Sequence, residues 1–269
     1  MVEFIEKITV TCFAASYGVA FALELWHLFR PRPILRYIAL GMGAAGLVAH
    51  VAYLYMNAVP LQSPTGSLLL LALILAVFYL GEAIHHNRIA WALFVLPIVL
   101  SLIALGILLR DTMDAPGENW QSYWGMAHGT LLILAGVGVS IGFIASVMYL
   151  VQLRRLQAKL PPSQGVPLMS LERLELMNRR AILWSFPFLT AGLLAGFALQ
   201  ARGGVAVDDW LSPKVLSVMG LWLVFAILLY LRYWVHVRGR QMAIWTMVAF
   251  AILVVALIFP HSFVDGGGP

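Results

Sequence analysis

Eight predominantly apolar stretches, each long enough to cross a bilayer, occupy nearly all of this 269-residue chain. A helix rises about 1.5 Å per residue, so roughly 20 apolar residues cover about 30 Å of hydrocarbon. Runs of that kind lie near 8–29, 37–59, 67–86, 89–109, 122–152, 181–201, 213–235 and 241–260. The expected fold is all-α: a polytopic membrane helix bundle with eight transmembrane helices, forming one integral domain over 1–269. The N-terminal run follows Met1-Val2-Glu3-Phe4-Ile5-Glu6-Lys7 and is too long for the apolar region of a secretory signal, so it reads as the first span.

Composition leaves no room for a soluble domain. Hydrophobic residues make up 62% and charged residues 11% of the chain, against roughly 25% charged in soluble domains. The longest non-membrane segment, about 153–180, is too short to bury its own core. A net charge of +5 reports topology here, not nucleic-acid binding, because basic loops stay on the cytoplasmic side. Of the 17 Lys and Arg residues, 13 fall in the odd-numbered connections: Arg30, Arg32, Arg36, Arg88, Arg154, Arg155, Lys159, Arg173, Arg179, Arg180, Arg232, Arg238 and Arg240. With an even number of spans, both termini are expected outside, on the periplasmic face of the plasma (inner) membrane. Cys12 is the only cysteine, which excludes an intrachain disulfide and any Cys-x-x-Cys or Cys-x-x-Cys-His motif. Redox chemistry would therefore need a non-covalent cofactor or a partner.

One connection has a character of its own. After Arg154-Arg155, Pro161-Pro162 breaks the chain, and Leu168, Leu171, Leu174 and Met177 then recur at helical spacing opposite Glu172, Arg173, Glu175, Arg179 and Arg180. A cytoplasmic amphipathic connection over 161–180, lying on the inner membrane face, is expected. Glycine pairs inside spans, Gly41-Met42-Gly43 and Gly136-Val137-Gly138, read as sites of close helix approach.

The seven histidines fall at two levels. His50 lies about 20 Å into span two from its cytoplasmic end, His128 at the outer end of span five, and His261 just beyond span eight on that side. His27, His85, His86 and His236 fall at inner ends. Imidazoles facing each other across helices can ligate haem iron or another transition metal, although an interfacial histidine can equally reach headgroups or water. Aromatics accompany the outer level: Trp120, Tyr123, Trp124, Trp210, Phe259 and Phe263 would serve as porphyrin walls or as an ordinary interfacial belt. Glu24 one turn from His27, and Glu82 one turn from His85, are expected to form structural pairs, with proton transfer the other reading.

Several of these stretches together resemble the cytochrome c assembly family of CcsA-, ResC- and HemX-like proteins. They are Trp120-Gln121-Ser122-Tyr123-Trp124 with His128 and the span ending Met148-Tyr149-Leu150; Leu171-Glu172-Arg173-Leu174 with Phe186-Pro187-Phe188-Leu189-Thr190-Ala191-Gly192-Leu193; Pro213-Lys214 and Trp222 through Arg232 to Arg238-Gly239-Arg240; and His261-Ser262-Phe263. The resemblance implies an eight-helix bundle in which His128 and His261 are external axial ligands of a non-covalent haem b, with His50, Trp124 and Trp210 as further cofactor-binding residues. Two departures stand out. The family's tryptophan-rich outer loop is reduced to Val207-Asp208-Asp209-Trp210-Leu211-Ser212-Pro213-Lys214, and the membrane histidine of its seventh span falls on Tyr230. The resemblance thus implies a haem carrier or chaperone rather than a complete haem-transferring synthase. A membrane partner, either a cytochrome c synthase component or a redox complex, and apocytochrome c would be its associates. The other reading is a HemX-like regulatory or accessory subunit without haem transfer. A transporter is disfavoured by the lack of an inverted repeat.

Overall fold

The structure is a computed structural model that describes residues 9–30, 32–57, 59, 63–85, 90–109, 123–159, 166–202, 213–235, 237 and 239–258. Eight helices are described: α1 Val10–Phe29, α2 Pro33–Met56, α3 Pro64–His85, α4 Ala92–Leu108, α5 Tyr123–Gln157, α6 Leu171–Arg202, α7 Pro213–Tyr233 and α8 Gly239–Ile258. No strand occurs among the described residues. Seven of the helices are long and apolar enough to cross a membrane, and the chain is an integral membrane protein. The remaining one, α4, has 17 residues and rises about 25 Å, somewhat short of the 89–109 run read from sequence.

Local chemistry sets several boundaries. Pro33 and Pro213 open α2 and α7, where a missing N–H costs nothing because the first turn has no intrahelical acceptor for it. Ser63 Oγ accepts the Gly66 N–H at 2.9 Å before α3, and Ser170 Oγ accepts the Arg173 N–H at 3.4 Å before α6. Both are N-cap bonds that satisfy an orphan donor.

The helices close into two four-membered rings. In the first, α1 packs on α2, α2 on α3, α3 on α4 and α4 back on α1; in the second, α5–α6, α6–α7, α7–α8 and α8–α5 do the same. Each ring has its own core. The first is built around Phe13, Tyr17, Leu75, Tyr79, Trp91 and Leu96, the second around Val139, Leu189, Leu221, Phe225, Leu228 and Leu253. Contacts of α3 and α4 with α5, and of α3 with α8, join the rings.

Among the described residues, the α5–α6 pair forms the most extensive helix-to-helix contact. It runs antiparallel in steady register: Ser146 meets Asn178, Gly142 meets Ala181, Gly138 meets Ser185, Leu132 meets Gly192 and His128 meets Gly196. Gly138, Gly142 and Ser146 recur every four residues, the small-residue spacing that lets helix backbones approach in lipid. Of each glycine pair singled out in the sequence, one member is tightly enclosed. A Cβ at Gly43 would lie 3.1 Å from Tyr79 Cε1 and one at Gly138 would collide with Ser185 Oγ, whereas Gly41 faces open space and Gly136 has only ordinary contacts.

The amphipathic segment is continuous with the span that follows it. From Leu171 it runs without interruption into the sixth span, as one helix of 32 residues. Its apolar side is covered by protein: Leu174 is buried, and Leu168 and Met177 pack on the first core. Glu175 receives a 2.5 Å bond from Arg232 Nη1 of α7, while Glu172, Arg173, Arg179 and Arg180 are exposed.

Candidate functional site

His128 stands five residues into α5, where the helix packs on the last turns of α6. Its side chain is buried, at 8% exposure, and Nδ1 lies 2.7 Å from the carbonyl oxygen of Gly192. A carbonyl only accepts, so the proton of the neutral ring sits on Nδ1 and the lone pair on Nε2. Nε2 is the nitrogen that can ligate a metal. The Nδ1–Cε1 edge rests against Gly196, where a Cβ would come within 2.7 Å of Cε1.

The sequence supplies this arrangement through small residues on α6. Gly192 and Gly196 are about one turn apart on the face toward α5, with Pro187 five residues before Gly192 inside the helix. Thr190 Oγ1 accepts the Trp222 indole N–H at 3.0 Å, and Phe186 stacks on Trp222 at 5.7 Å between ring centres, which ties this part of α6 to α7.

A second polar node lies in the same ring, about five turns farther along α5. Asn178 Nδ2 is 2.7 Å from Ser146 Oγ and 3.2 Å from both the Gly142 carbonyl and Thr246 Oγ1. Ser146 and Thr246 donate their hydroxyl protons to carbonyls of their own helices, at Gly142 and Met242. Their lone pairs are thereby turned toward the amide. Sequence reasoning passed over Asn178; its signal is an amide inside an otherwise apolar helical stripe, just before Arg179-Arg180.

His50 belongs to the other ring. It is fully buried on α2, stacked on Phe13 with ring centres 4.1 Å apart, and its Nδ1 lies 3.5 Å from Tyr17 Oη. Its Nε2 has no hydrogen-bond partner among the described residues, nor has Tyr79 Oη. The neighbours of His50 lie on α1 and those of His128 on α6. The structure therefore does not bring the two histidines to a common site.

The remaining sequence candidates divide plainly. His27 Nδ1 accepts the Arg32 backbone N–H at 3.2 Å, and His85 Nδ1 donates to the Gly81 carbonyl at 2.8 Å; backbone, not the neighbouring acids, engages this nitrogen in each. His261, His86, His236, Trp120, Trp210, Phe259 and Phe263 lie outside the described residues, as do the side chains of Tyr123 and Trp124. No cluster of three or more His, Cys, Asp or Glu side chains among the described residues could hold a metal ion. A cleft of about 380 Å³ between α4, α5 and α8 is walled by Phe94, Pro97, Phe143, Phe250 and other apolar groups, with no ionisable side chain. Its one hydroxyl, Ser101, donates to the Pro97 carbonyl of its own helix.

Comparison with known proteins adds to this geometry. The sequence model of the family described as "Cytochrome C assembly protein" matches residues 61–264, from just before α3 to beyond His261. The matched region includes His128 and leaves out His50. The chain is 29% identical to "Cytochrome c biogenesis protein CcsA" of Chlamydomonas reinhardtii, over 49% of this chain and 36% of that protein. It is 24% identical to the CcsA of Gloeobacter violaceus, over 94% and 93% of the two chains, and 26% identical to "Protein HemX" of Bacillus subtilis, over 66% and 71%. It thus spans about a third of the length of the Chlamydomonas protein and nearly all of the Gloeobacter one. No solved structure matches it.

Proposed function

The chain belongs to the cytochrome c assembly protein family, and from that premise we propose that it handles haem, holding one haem b between His128 and His261 at the outer face of the plasma membrane. The observation that supports this most is the register of α5 against α8. Gly142 lies against Thr246, and Gly136 against Leu253. Carried to the end of α8 at Ile258, this antiparallel register leaves His128 about one turn further toward the end of the bundle at which α8 finishes. The donor chemistry fits as well, because Nδ1 donates to the Gly192 carbonyl, and Nε2 of a neutral imidazole in that tautomer is a nitrogen of the kind that ligates haem iron.

Bound there, haem b would supply an iron that accepts nitrogen donors from the chain. The chain's own residues bind and orient: His128 and His261 provide the nitrogens, and Trp124 and Trp210 provide flat apolar walls. His50, enclosed by Phe13 and Tyr17, stays apart from this iron. Thioether formation would use cysteines of an apocytochrome and a membrane partner, since Cys12 is the only thiol here. All eight helices cross the membrane in this reading, α4 as its shortest span, and the basic connections put both termini on the outer side.

Haem content of purified variants tests the assignment. His128→Ala and His261→Ala should each lose most of the haem; unchanged content in both would remove the assignment. The reduced 207–214 loop and the likeness to Protein HemX favour one other reading, an accessory protein without haem transfer. Pigment-free protein that co-purifies with a stoichiometric membrane partner would support it.

A further inference from the structure

Gly196 adopts an ordinary helical φ, so its backbone conformation does not require glycine. What the missing side chain accommodates is the imidazole of His128. A Cβ at position 196 would lie 2.7 Å from Cε1 and 2.9 Å from Nδ1, yet 3.6 Å from Nε2. The ring is thus laid edge-on against α6, with its Nδ1–Cε1 edge inward and Nε2 the more distant nitrogen. One turn earlier, the Gly192 carbonyl receives the Nδ1–H at 2.7 Å.

We propose that Gly196 and the Gly192 carbonyl form a slot that positions His128, fixing the Nδ1–H tautomer and turning Nε2 toward the iron. Gly196 is a positioning residue: it acts only through the imidazole. A metal-binding histidine whose other nitrogen donates to a carbonyl is held in one tautomer and one orientation, and loses affinity when that support is removed. Any side chain at 196 must push the ring away from α6, lengthening or breaking the bond to Gly192. The consequence for haem rests on the reading above; the slot itself does not.

Gly142 supplies an internal control. A Cβ there would press on Thr246, 3.1 Å from Cγ2, and on Ala181, 3.4 Å from Cβ. Gly142→Ala therefore strains the same helix pair about four turns from His128, without a Cβ against the imidazole or the Gly192 carbonyl.

The test uses the full chain in nanodiscs, labelled with 15N-histidine, with the His128 signal assigned by its loss in His128→Gln. In haem-free wild type and Gly142→Ala, His128 should report the neutral Nδ1–H tautomer; in Gly196→Ala that signal should be lost or give way to mixed tautomers. Titration with hemin should then show about 10–100-fold weaker binding by Gly196→Ala, with Gly142→Ala close to wild type. A Gly196→Ala protein with the wild-type tautomer and affinity would overturn the proposal, as would Gly142→Ala and Gly196→Ala behaving alike. Should Gly196→Ala not fold, the wild type decides alone: an Nε2–H signal for His128 overturns the slot and an Nδ1–H signal supports it. Expected tautomers without hemin uptake by the wild type would leave the slot standing and remove the haem reading.

Discussion

In the ring of α5–α8, the buried Asn178 and His128 are bonded from helix to helix: Asn178 reaches Ser146 and Thr246, and His128 reaches the Gly192 carbonyl, with the half-buried bonds of Trp222 to Thr190 and Arg232 to Glu175 beside them. In the ring of α1–α4, helix-to-helix bonds stand toward the helix ends, from Arg36 to the Ala83 carbonyl and from Thr65 to the Gly106 carbonyl, while the buried histidine sits among aromatics, with His50 stacked on Phe13 and only a 3.5 Å approach to Tyr17. Tyr17 and Tyr79 lie in notches made by Gly46 and Gly43 of α2. The contrast is one of design. Hydrogen bonds are directional and fix a rotamer and a tautomer, whereas ring stacking holds a side chain in place without assigning its proton. A histidine that must present one particular nitrogen belongs in the first kind of ring.

The largest expected effect separates the two histidines directly. His128→Ala should empty the protein of most haem, and His50→Ala should leave haem content near wild type, both read by pyridine haemochrome quantitation. Equal losses would dissolve the distinction between the rings. Next in size is the glycine notch: Gly46→Ala places a Cβ 2.9 Å from the Tyr17 ring and should cost about 1–3 kcal/mol through overpacking. Gly41→Ala, in open space, should be close to neutral. Thermal unfolding midpoints in a fixed detergent compare the two, and equal midpoints would show that the notch carries no packing constraint.

Asn178→Ala removes the amide shared by three helices, while Ser146 and Thr246 keep their own backbone bonds. With interhelical hydrogen bonds in membranes worth about 0.6–2 kcal/mol, a loss of that order is expected in unfolding by a denaturing detergent. No change would mean that the node is decorative. The smallest effect is expected at Tyr79→Phe. Its hydroxyl has no partner among the described residues, and replacing an unsatisfied polar group by an apolar one of the same shape is neutral or stabilising. A clear destabilisation would reveal a partner for that hydroxyl, such as an internal water.

Much of the fold was legible because membrane spans are written in long apolar runs, and prolines and serines mark where several of them start. Burial by protein was not. Leu171, Leu174 and Met177 form the same helical stripe whether lipid or another helix covers it, so the sequence does not show that these residues are the first turns of α6 or that protein buries Leu174. His128 was legible as a candidate from its place beside Trp124 and from the resemblance, but its orientation was not. The group that sets its tautomer is a backbone carbonyl 64 residues away, and backbone atoms leave no residue-type signature. Asn178 was missed for a related reason: one amide in an apolar run shows that a partner must exist, not which hydroxyls provide it.

The most direct measurement is a reduced-minus-oxidised optical spectrum, with haem quantitation, on protein purified in mild detergent from haem-replete cells. The account predicts about one haem b per chain with the low-spin bands of two nitrogen axial ligands. Protein without haem under those conditions would contradict it.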